Sequence, residues 1–325
     1  MSRTVLITGG AGFIGANLAR RLVVAGDRVR ILDDLSIGQR AYLDGVPHEL
    51  AFAPLANRDA VRRAVRDVDA VVHLAARAGI PDSVADPLGT FEVNVAGLLG
   101  VLDAARLAGA RRFVFASSNA AAGEHEPPAD ERDLPRPTSP YGASKLAGEA
   151  YCQAYAATYG LAACTLRFSN AYGRFSLHKK SVVAAWLRSA LCGGSIVIHG
   201  DGEQTRDFVF VEDLAAAVSA ALDAPEDRIA GEVFQVGTGV ETTVNELAAA
   251  VETAVGRSLE IRRLPARPGD IRRNVSRVDK AGERLDYRAA VPLPEGIART
   301  AAWFRVALAD PAMAAIGPHA ASGSE

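Results

Sequence analysis

Seven residues near the amino terminus, Gly9 to Gly15, constrain the fold more than any other stretch of this chain. Before them, Thr4-Val5-Leu6-Ile7-Thr8 has the unbroken apolar character of a short buried strand, and residues 13–24 carry helical apolar spacing. The linking turn reads GGAGFIG, with glycines at G-x-x-G-x-x-G counted from Gly9 and an extra Gly10. In that setting Gly9 makes the tight turn, Gly12 lets backbone approach a pyrophosphate, and Gly15 lets the helix close on the strand. The free amides and dipole of the following helix, opening at Phe13 and Ile14, then face the phosphates. Strand, glycine turn and helix in this order form a dinucleotide-binding context.

The second strand, residues 28–32, runs into Asp33 and Asp34. An acid at that strand end accepts hydrogen bonds from the adenosine ribose and repels a 2′-phosphate, which favours NAD over NADP. Strands over 70–74 and 112–116, with helical patterns over 58–65 and 90–108, extend the alternation. The expected fold class is α/β, a doubly wound parallel sheet with a smaller carboxy-terminal α/β unit. His73 closes a strand and reads as a satisfied wall residue. Asn94 lies in an apolar helical stretch, where its amide needs a partner, and is assigned to bracing the active-site backbone.

The 325 residues suit one large or two interlocked domains, and a net charge of -2 gives no field to draw nucleic acid or anionic membrane. The three cysteines, Cys152, Cys164 and Cys192, lack metal-ligand spacing and are expected to be small buried hydrophobes in a reducing compartment. No metal site is expected. The chain enters a strand after three residues without a signal peptide, and no run is expected to reach membrane-spanning length. A cytoplasmic location follows as an expectation.

Tyr141 and Lys145 stand four positions apart in SPYGASK, so on a helix they share a face. A phenol titrates near ~10, too high for a base at neutral pH. A neighbouring ammonium favours the phenolate, which predicts that Lys145 lowers the Tyr141 pKa and makes it a proton acceptor. Ser118, just beyond a strand end, would orient the oxygen being deprotonated, and ligands bind at such ends in open α/β sheets. Residues 123–140 read as a loop, 142–159 as a helix and 163–168 as a strand. After Phe168 the character changes: a loop carries Asn170 and the His178-Lys179-Lys180 run, a helix covers 182–191, and a strand, glycine loop, strand and helix follow. Arg206 opens the second of those strands among apolar neighbours, as either a structural ion-pair partner or a phosphate clamp, and Arg267 sits in a turn. Two arginines in turns beyond the sheet suit a diphosphate, each as a fork donor.

Together these segments resemble the extended short-chain dehydrogenases/reductases that act on nucleotide sugars, in particular the UDP-glucose 4-epimerase group. The likeness is carried by TGGAGFIG (8–15), LDDLS (32–36), HLAARAG (73–79), FASSN (115–119), SPYGASKLAGE (139–149), LRFSNAYG (166–173), GDGEQTRDFVFVED (200–213) and RPGD (267–270). The resemblance implies a catalytic set of Ser118, Tyr141 and Lys145. It implies NAD held at Gly9, Gly12, Phe13, Ile14, Gly15, Asp33, Asp34, Leu55, Leu74, Ala75, Ala76, Asn94, Tyr141 and Lys145. A UDP-sugar would meet Ser118, Asn119, Tyr141, Asn170, Ser181, Val182, His199, Arg206, Arg267, Asp270 and Asn274. It also implies a homodimer built from helices over 89–108 and 141–159 as a four-helix bundle. Residues 1–168, with 205–236 returning, are expected to bind NAD; 169–204 and 237–308 to bind the nucleotide sugar; 309–325 to be a disordered tail.

The departures from the family narrow the activity. Pro54 stands where many relatives carry an aspartate for the adenine amino group, which weakens the expected hold on NAD. Asn119-Ala120 follows Ser118, so the acids that dehydratases and decarboxylases use nearby are missing. Leu177 stands where uronate epimerases carry an arginine, although Arg272 and Arg273 offer charge. Asn274 replaces a bulky tyrosine of galactose-type epimerases and leaves room for an N-acetyl group. The expected activity is NAD-dependent C4 epimerisation of a UDP-hexose. The alternatives are a nucleotide-sugar 4-ketoreductase or dehydrogenase, a UDP-glucuronate 4-epimerase, and a non-enzymatic NAD-binding sensor or scaffold.

Overall fold

The structure is a computed structural model that describes residues 2–266 and 271–314. Six strands, β1 (Thr4–Thr8), β2 (Arg28–Asp33), β3 (Glu49–Phe52), β4 (Ala70–His73), β5 (Arg112–Ser118) and β6 (Ala162–Phe168), join the strand Val233–Val236 in one sheet. Across the sheet the order is Val233–Val236, β6, β5, β4, β1, β2, β3, and every neighbouring pair is parallel. This is the doubly wound sheet expected. The order reverses between β1 and β4, and the diverging connections leave a crevice beyond the carboxyl ends of those strands.

Successive side chains of β1 enter opposite layers: Val5 and Ile7 belong to one core and Leu6 to the other. Helices Phe13–Val24 and Val211–Asp223 cover the first face, contributing Leu18, Leu22, Leu214 and Val218. Helices Arg58–Ala64 and Leu98–Leu107 cover the second with Val61, Leu98 and Leu102, and Cys152 of helix Pro140–Tyr159 joins them. Each such side chain contributes about 1.5–3 kcal/mol on burial. A third core, with Trp186, Leu187, Ile198, Phe210, Leu247 and Phe304, forms the smaller unit. Its helices Val182–Leu191, Val244–Val255 and Leu293–Ala309 pack beside the parallel pair Ile196–His199 and Ile261–Leu264.

The structure departs from the sequence expectations at several points. β3 has no counterpart among the expected strands, because it is a four-residue edge strand, too short to show a period, whose side chains are exposed or half-buried. Thr205–Arg206 and Phe208–Phe210 pair with Thr242–Thr243 and Asn170–Tyr172, outside the large sheet; Phe208 and Phe210 pack in the third core, and within 205–236 the chain first reaches the sheet-side core with Val209 rather than at 205. Ala281, Leu285 and Tyr287 pack in the sheet-side core, although the expected division put all of 237–308 in the smaller unit. The expected tail over 309–325 is ordered at its start, with Ala309 ending helix Leu293–Ala309 and Pro311–Ala314 helical; residues 315–325 lie outside the described residues. Cys192 is exposed rather than buried, because it caps the helix end at Leu191; Cys152 and Cys164 are buried. The helical run Pro87–Leu107 does reach membrane-spanning length and apolarity, contrary to expectation, yet half of it is buried against the rest of the molecule. Its middle, Glu92–Gly97, is a π-helical turn.

Candidate active site

The glycine turn fits a diphosphate. Gly9 adopts φ +69°, and a Cβ at Gly15 would lie 2.4 Å from the Gly9 carbonyl oxygen, so neither position accepts a side chain without moving the turn. Gly12 caps helix Phe13–Val24 with no side chain to satisfy its first amides, and no acid stands in the first turn. Those amides have no intrahelical acceptor and face the cleft lined by Gly9, Gly12, Phe13, Ile14 and Gly15. The cleft, about 2630 Å³ in volume, also passes Asp33, Asp34, Pro54, Leu55, Leu74, Ala75 and Ala76.

The two acids divide the work. Buried Asp33 accepts from Ala11 N at 2.9 Å and Leu35 N at 2.8 Å, tying the glycine turn to the end of β2; burial raises its pKa. Asp34 is exposed beside it and accepts from Ser36 N at 3.0 Å. Asn94 is not on the cleft wall. Its Oδ1 accepts from Arg77 N at 2.8 Å, and its Nδ2 donates to Arg77 O and to Ser144 Oγ at 3.1 and 3.0 Å. It therefore clamps the loop after β4 to helix Pro140–Tyr159 from behind, and the π-helical turn is what aims it there.

Ser118 ends β5, and its Oγ accepts from Ala120 N at 3.2 Å. Helix Pro140–Tyr159 starts at a Ser139 cap, whose Oγ accepts from Gly142 N at 3.1 Å, with Pro140 in its first turn. That start sets Tyr141 and Lys145 on the face turned to β5, where Ser118 is near enough to the Tyr141 hydroxyl to lower its pKa. The Lys145 ammonium donates to Ala116 O at 2.8 Å and lies 5.8 Å from the Tyr141 ring centroid. The expected sign of the Tyr141 shift is overturned in this geometry: burial raises its pKa and outweighs the lowering by Ser118, because the ammonium is directed to the strand carbonyl. Burial also lowers Lys145 to about 8, partly opposed by the charge of Glu149. His73 is fully buried and neutral, lowered to about 3 by burial and then by Lys145, with Nδ1 on Thr8 Oγ1 at 2.9 Å. Its Nε2 has no partner among the described residues, so the wall residue is only half satisfied.

The cleft is also lined by Asn119, next to Ser118, and by Asn170, Ser181, Val182, Arg206 and Asn274. Asn119 Nδ2 donates to Ser276 Oγ at 2.9 Å and to Ser169 Oγ at 3.3 Å, and it meets Asn274 Oδ1 at 3.5 Å. Ser181 precedes helix Val182–Leu191 without capping it. Arg206 Nη1 donates to Ile271 O at 2.7 Å, which turns that side chain along the cleft. His199 does not line the cleft; its Nδ1 is 3.2 Å from Pro265 O, on the flank of the smaller unit. Arg267 and Asp270 lie outside the described residues. Leu177 is fully buried in the third core rather than facing the cleft. Arg272 and Arg273 reach the cleft with their charge already matched, by Asp201 at 2.9 Å and by Glu241 at 3.0 Å.

Two buried networks behind the site had no part in the sequence reading. Glu149, one turn beyond Lys145, is paired with Arg167 of β6 at 2.7 Å with both side chains 3% exposed, and Ser117 Oγ donates to the same carboxylate at 2.5 Å. Its place four residues after Lys145 was a visible signal; its partner was not. Asp207 is fully buried and accepts from Thr238 N, Thr238 Oγ1 and Ser169 Oγ at 2.9, 2.7 and 3.2 Å. Through Ser169 it holds the amide of Asn119 beside Ser118.

The model of the NAD dependent epimerase/dehydratase family matches residues 5–237. The chain is 40% identical over 312 residues to a UDP-glucose 4-epimerase of Mycolicibacterium smegmatis, covering 92% of this chain and 98% of the relative. Among solved structures it is similar to the Thermus thermophilus UDP-glucose 4-epimerase in complex with NAD (TM-score 0.84, 38% identity, 93% and 99% of the two chains). It is also similar to a UDP-N-acetylglucosamine 4-epimerase of Methanobrevibacter ruminantium in complex with UDP-N-acetylmuramic acid (TM-score 0.89, 29% identity, 94% and 99%). With a glycine turn built for a diphosphate and a serine, tyrosine and lysine gathered beside it, the chain belongs to the NAD-dependent epimerase/dehydratase family of extended short-chain dehydrogenases/reductases, and NAD is its cofactor.

Proposed function

We propose that this enzyme inverts C4 of a UDP-hexose, interconverting UDP-glucose and UDP-galactose and accepting their N-acetyl forms. The observation that carries the reading is the convergence of Ser118, Tyr141 and Lys145 at the carboxyl end of β5, on a cleft that continues past Asn119 and Asn274 to Arg206. Tyr141 takes the proton of the sugar 4-hydroxyl and Ser118 fixes that oxygen; Lys145, held on Ala116 O with its ammonium 5.8 Å from the Tyr141 ring centroid, lowers the phenol only by turning from that carbonyl toward it when the cleft is filled. NAD held at Gly9, Gly12 and the amides opening helix Phe13–Val24 would supply the reversible hydride acceptance that inversion at C4 needs, with no net redox change. A clamped UDP and a loosely held hexose make that inversion possible, and the small neutral side chains of Asn119 and Asn274 hold the sugar end without charge.

Two features of the cleft disfavour uronates: Arg272 and Arg273 are neutralised, and Leu177 faces the core. The names of the relatives support both the hexose and the N-acetylhexose parts of the reading. A ketoreductase with exchangeable cofactor is the second reading, favoured by Pro54 on the cleft wall where an adenine acceptor is missing. The chain is also proposed to dimerise through helices Leu98–Leu107 and Pro140–Tyr159 with the turns before them, whose exposed Leu88, Phe91, Leu107, Tyr151 and Tyr159 form an apolar surface.

Purified protein incubated with UDP-glucose, UDP-N-acetylglucosamine and UDP-glucuronate, without added cofactor, is expected to convert the first two. Strict rejection of UDP-N-acetylglucosamine removes the N-acetyl part, and an absolute need for added NADH favours the ketoreductase. Tyr141→Phe is expected to abolish turnover with an unchanged circular-dichroism melt; retained turnover refutes the assigned base.

A further inference from the structure

One face of helix Phe13–Val24 is covered by the segment that follows strand Asn170–Tyr172. Arg174 Nε donates to Asn17 Oδ1 at 2.6 Å, and Asn17 Nδ2 returns a bond to Arg174 O at 3.3 Å. Arg20 stacks on the Phe175 ring with its guanidinium carbon 4.7 Å from the centroid. Phe175 in turn packs on Tyr42 and Trp303, with centroids 4.7 and 5.3 Å away. Farther along, Arg188 donates to the Leu177 and Lys179 carbonyls, and Lys179 N donates to Ser176 O at 2.9 Å. Asn17 lies one helical turn from Phe13 and donates to the Phe13 carbonyl at 2.8 Å, so the strap tracks that face toward the glycine turn.

At its far end the strap delivers Lys179. The ammonium stands 4.8 Å from the centroid of Phe13, the first residue of the helix, on the cleft wall. Among the described residues it makes no ion pair or side-chain hydrogen bond. Lys180, next in sequence, points elsewhere: it is mostly exposed and 3.8 Å from Asp82. The helix end carries roughly half a positive charge, and no basic residue stands in its first turn. A pyrophosphate brings two negative charges, so a cation there is the missing counterpart.

We propose that Lys179 is a cofactor-binding residue: the strap over 174–180 holds its ammonium over the glycine turn, where it pairs with the pyrophosphate of the dinucleotide. The assignment goes beyond the C4 chemistry and holds whichever sugar is turned over. The cation comes from the substrate-side loop, so cofactor retention is built from both units and offsets the acceptor lost at Pro54. Burial lowers the Lys179 pKa to about 8, which leaves it mostly charged at neutral pH.

Equilibrium dialysis of the full chain with NAD, with ADP-ribose and separately with UDP tests the assignment. Lys179→Met keeps the packing on Phe13 and is expected to weaken NAD and ADP-ribose about 10- to 100-fold, the size of one charge-assisted hydrogen bond. UDP affinity should stay unchanged, and the ligand-free thermal melt at pH 7 should not fall and is expected to rise, because the variant no longer carries a charge whose pKa burial lowers to about 8. Lys179→Gln, of similar length and also neutral, should show the same loss, whereas Lys179→Arg should retain most of the affinity. NAD affinity within twofold of the parent in either neutral variant overturns the proposal. So does a loss confined to UDP, which would give the cation to the sugar nucleotide's diphosphate instead.

Discussion

Glu149→Gln removes one charge from the best-buried ion pair among the described residues and leaves its shape almost intact. In the parent, Arg167 Nε donates to Glu149 Oε1 and Oε2 at 2.9 and 3.2 Å, Arg167 Nη2 donates to Oε2 at 2.7 Å, and Ser117 Oγ completes the set at 2.5 Å. With both side chains 3% exposed, solvent cannot screen the guanidinium left behind. A buried pair broken on one side costs about 3–5 kcal/mol, and the variant should lose that much in urea unfolding at constant m value. Glu149→Met with Arg167→Met removes both charges and keeps the volume, and should return to within about 2 kcal/mol of the parent. The same substitution has a catalytic signature. Glu149 raises the Lys145 pKa against the lowering by burial, so without it the Lys145 cation is lost at lower pH. The alkaline fall of kcat in Glu149→Gln should therefore begin below the parent's. A cost under about 1 kcal/mol for Glu149→Gln, or a double variant as unstable as the sum of the singles, refutes the reasoning.

Lys145 should be costly to stability as well as needed for turnover. Its pKa falls from 10.5 to about 8 on folding, so below about pH 8 both states carry the proton and the folded state bears the cost of a buried charge. Between about 8 and 10.5 the unfolded chain binds more protons, and stability rises with pH. Lys145→Met should thus stabilise the cofactor-free protein at pH 7 by about 1–3 kcal/mol, by a margin that narrows as pH rises through that window; destabilisation at pH 7 contradicts it. Thiol titration of the native protein should label Cys192 alone, with Cys152 and Cys164 joining only in denaturant, since burial raises both of their pKa values. Fast native labelling of a second thiol would contradict the packing on one face of the sheet, Cys152 lying in one core and Cys164 in the other.

Local sequence determined the elements that carry chemistry. The strand, glycine turn and helix from Thr4 to Val24 follow from apolar spacing and from glycines that only a tight turn demands. Tyr141 and Lys145 share a face because Ser139 and Pro140 start a helix where they do. These rules act within one or two turns of chain, so a reader of the sequence needs no other part of the molecule. Tertiary structure alone decided what those elements meet. β5–β6 register sets Ser117 opposite Arg167 and so gives Glu149 its partner; β3 exists only because β2 offers it an edge. The ammonium of Lys145 goes to Ala116 O rather than to the phenol, His199 turns away from the cleft, and Lys179 arrives over Phe13 from more than a hundred residues downstream. Such meetings depend on sheet order and on the competition between burial and charge, and neither is written in the spacing of nearby residues.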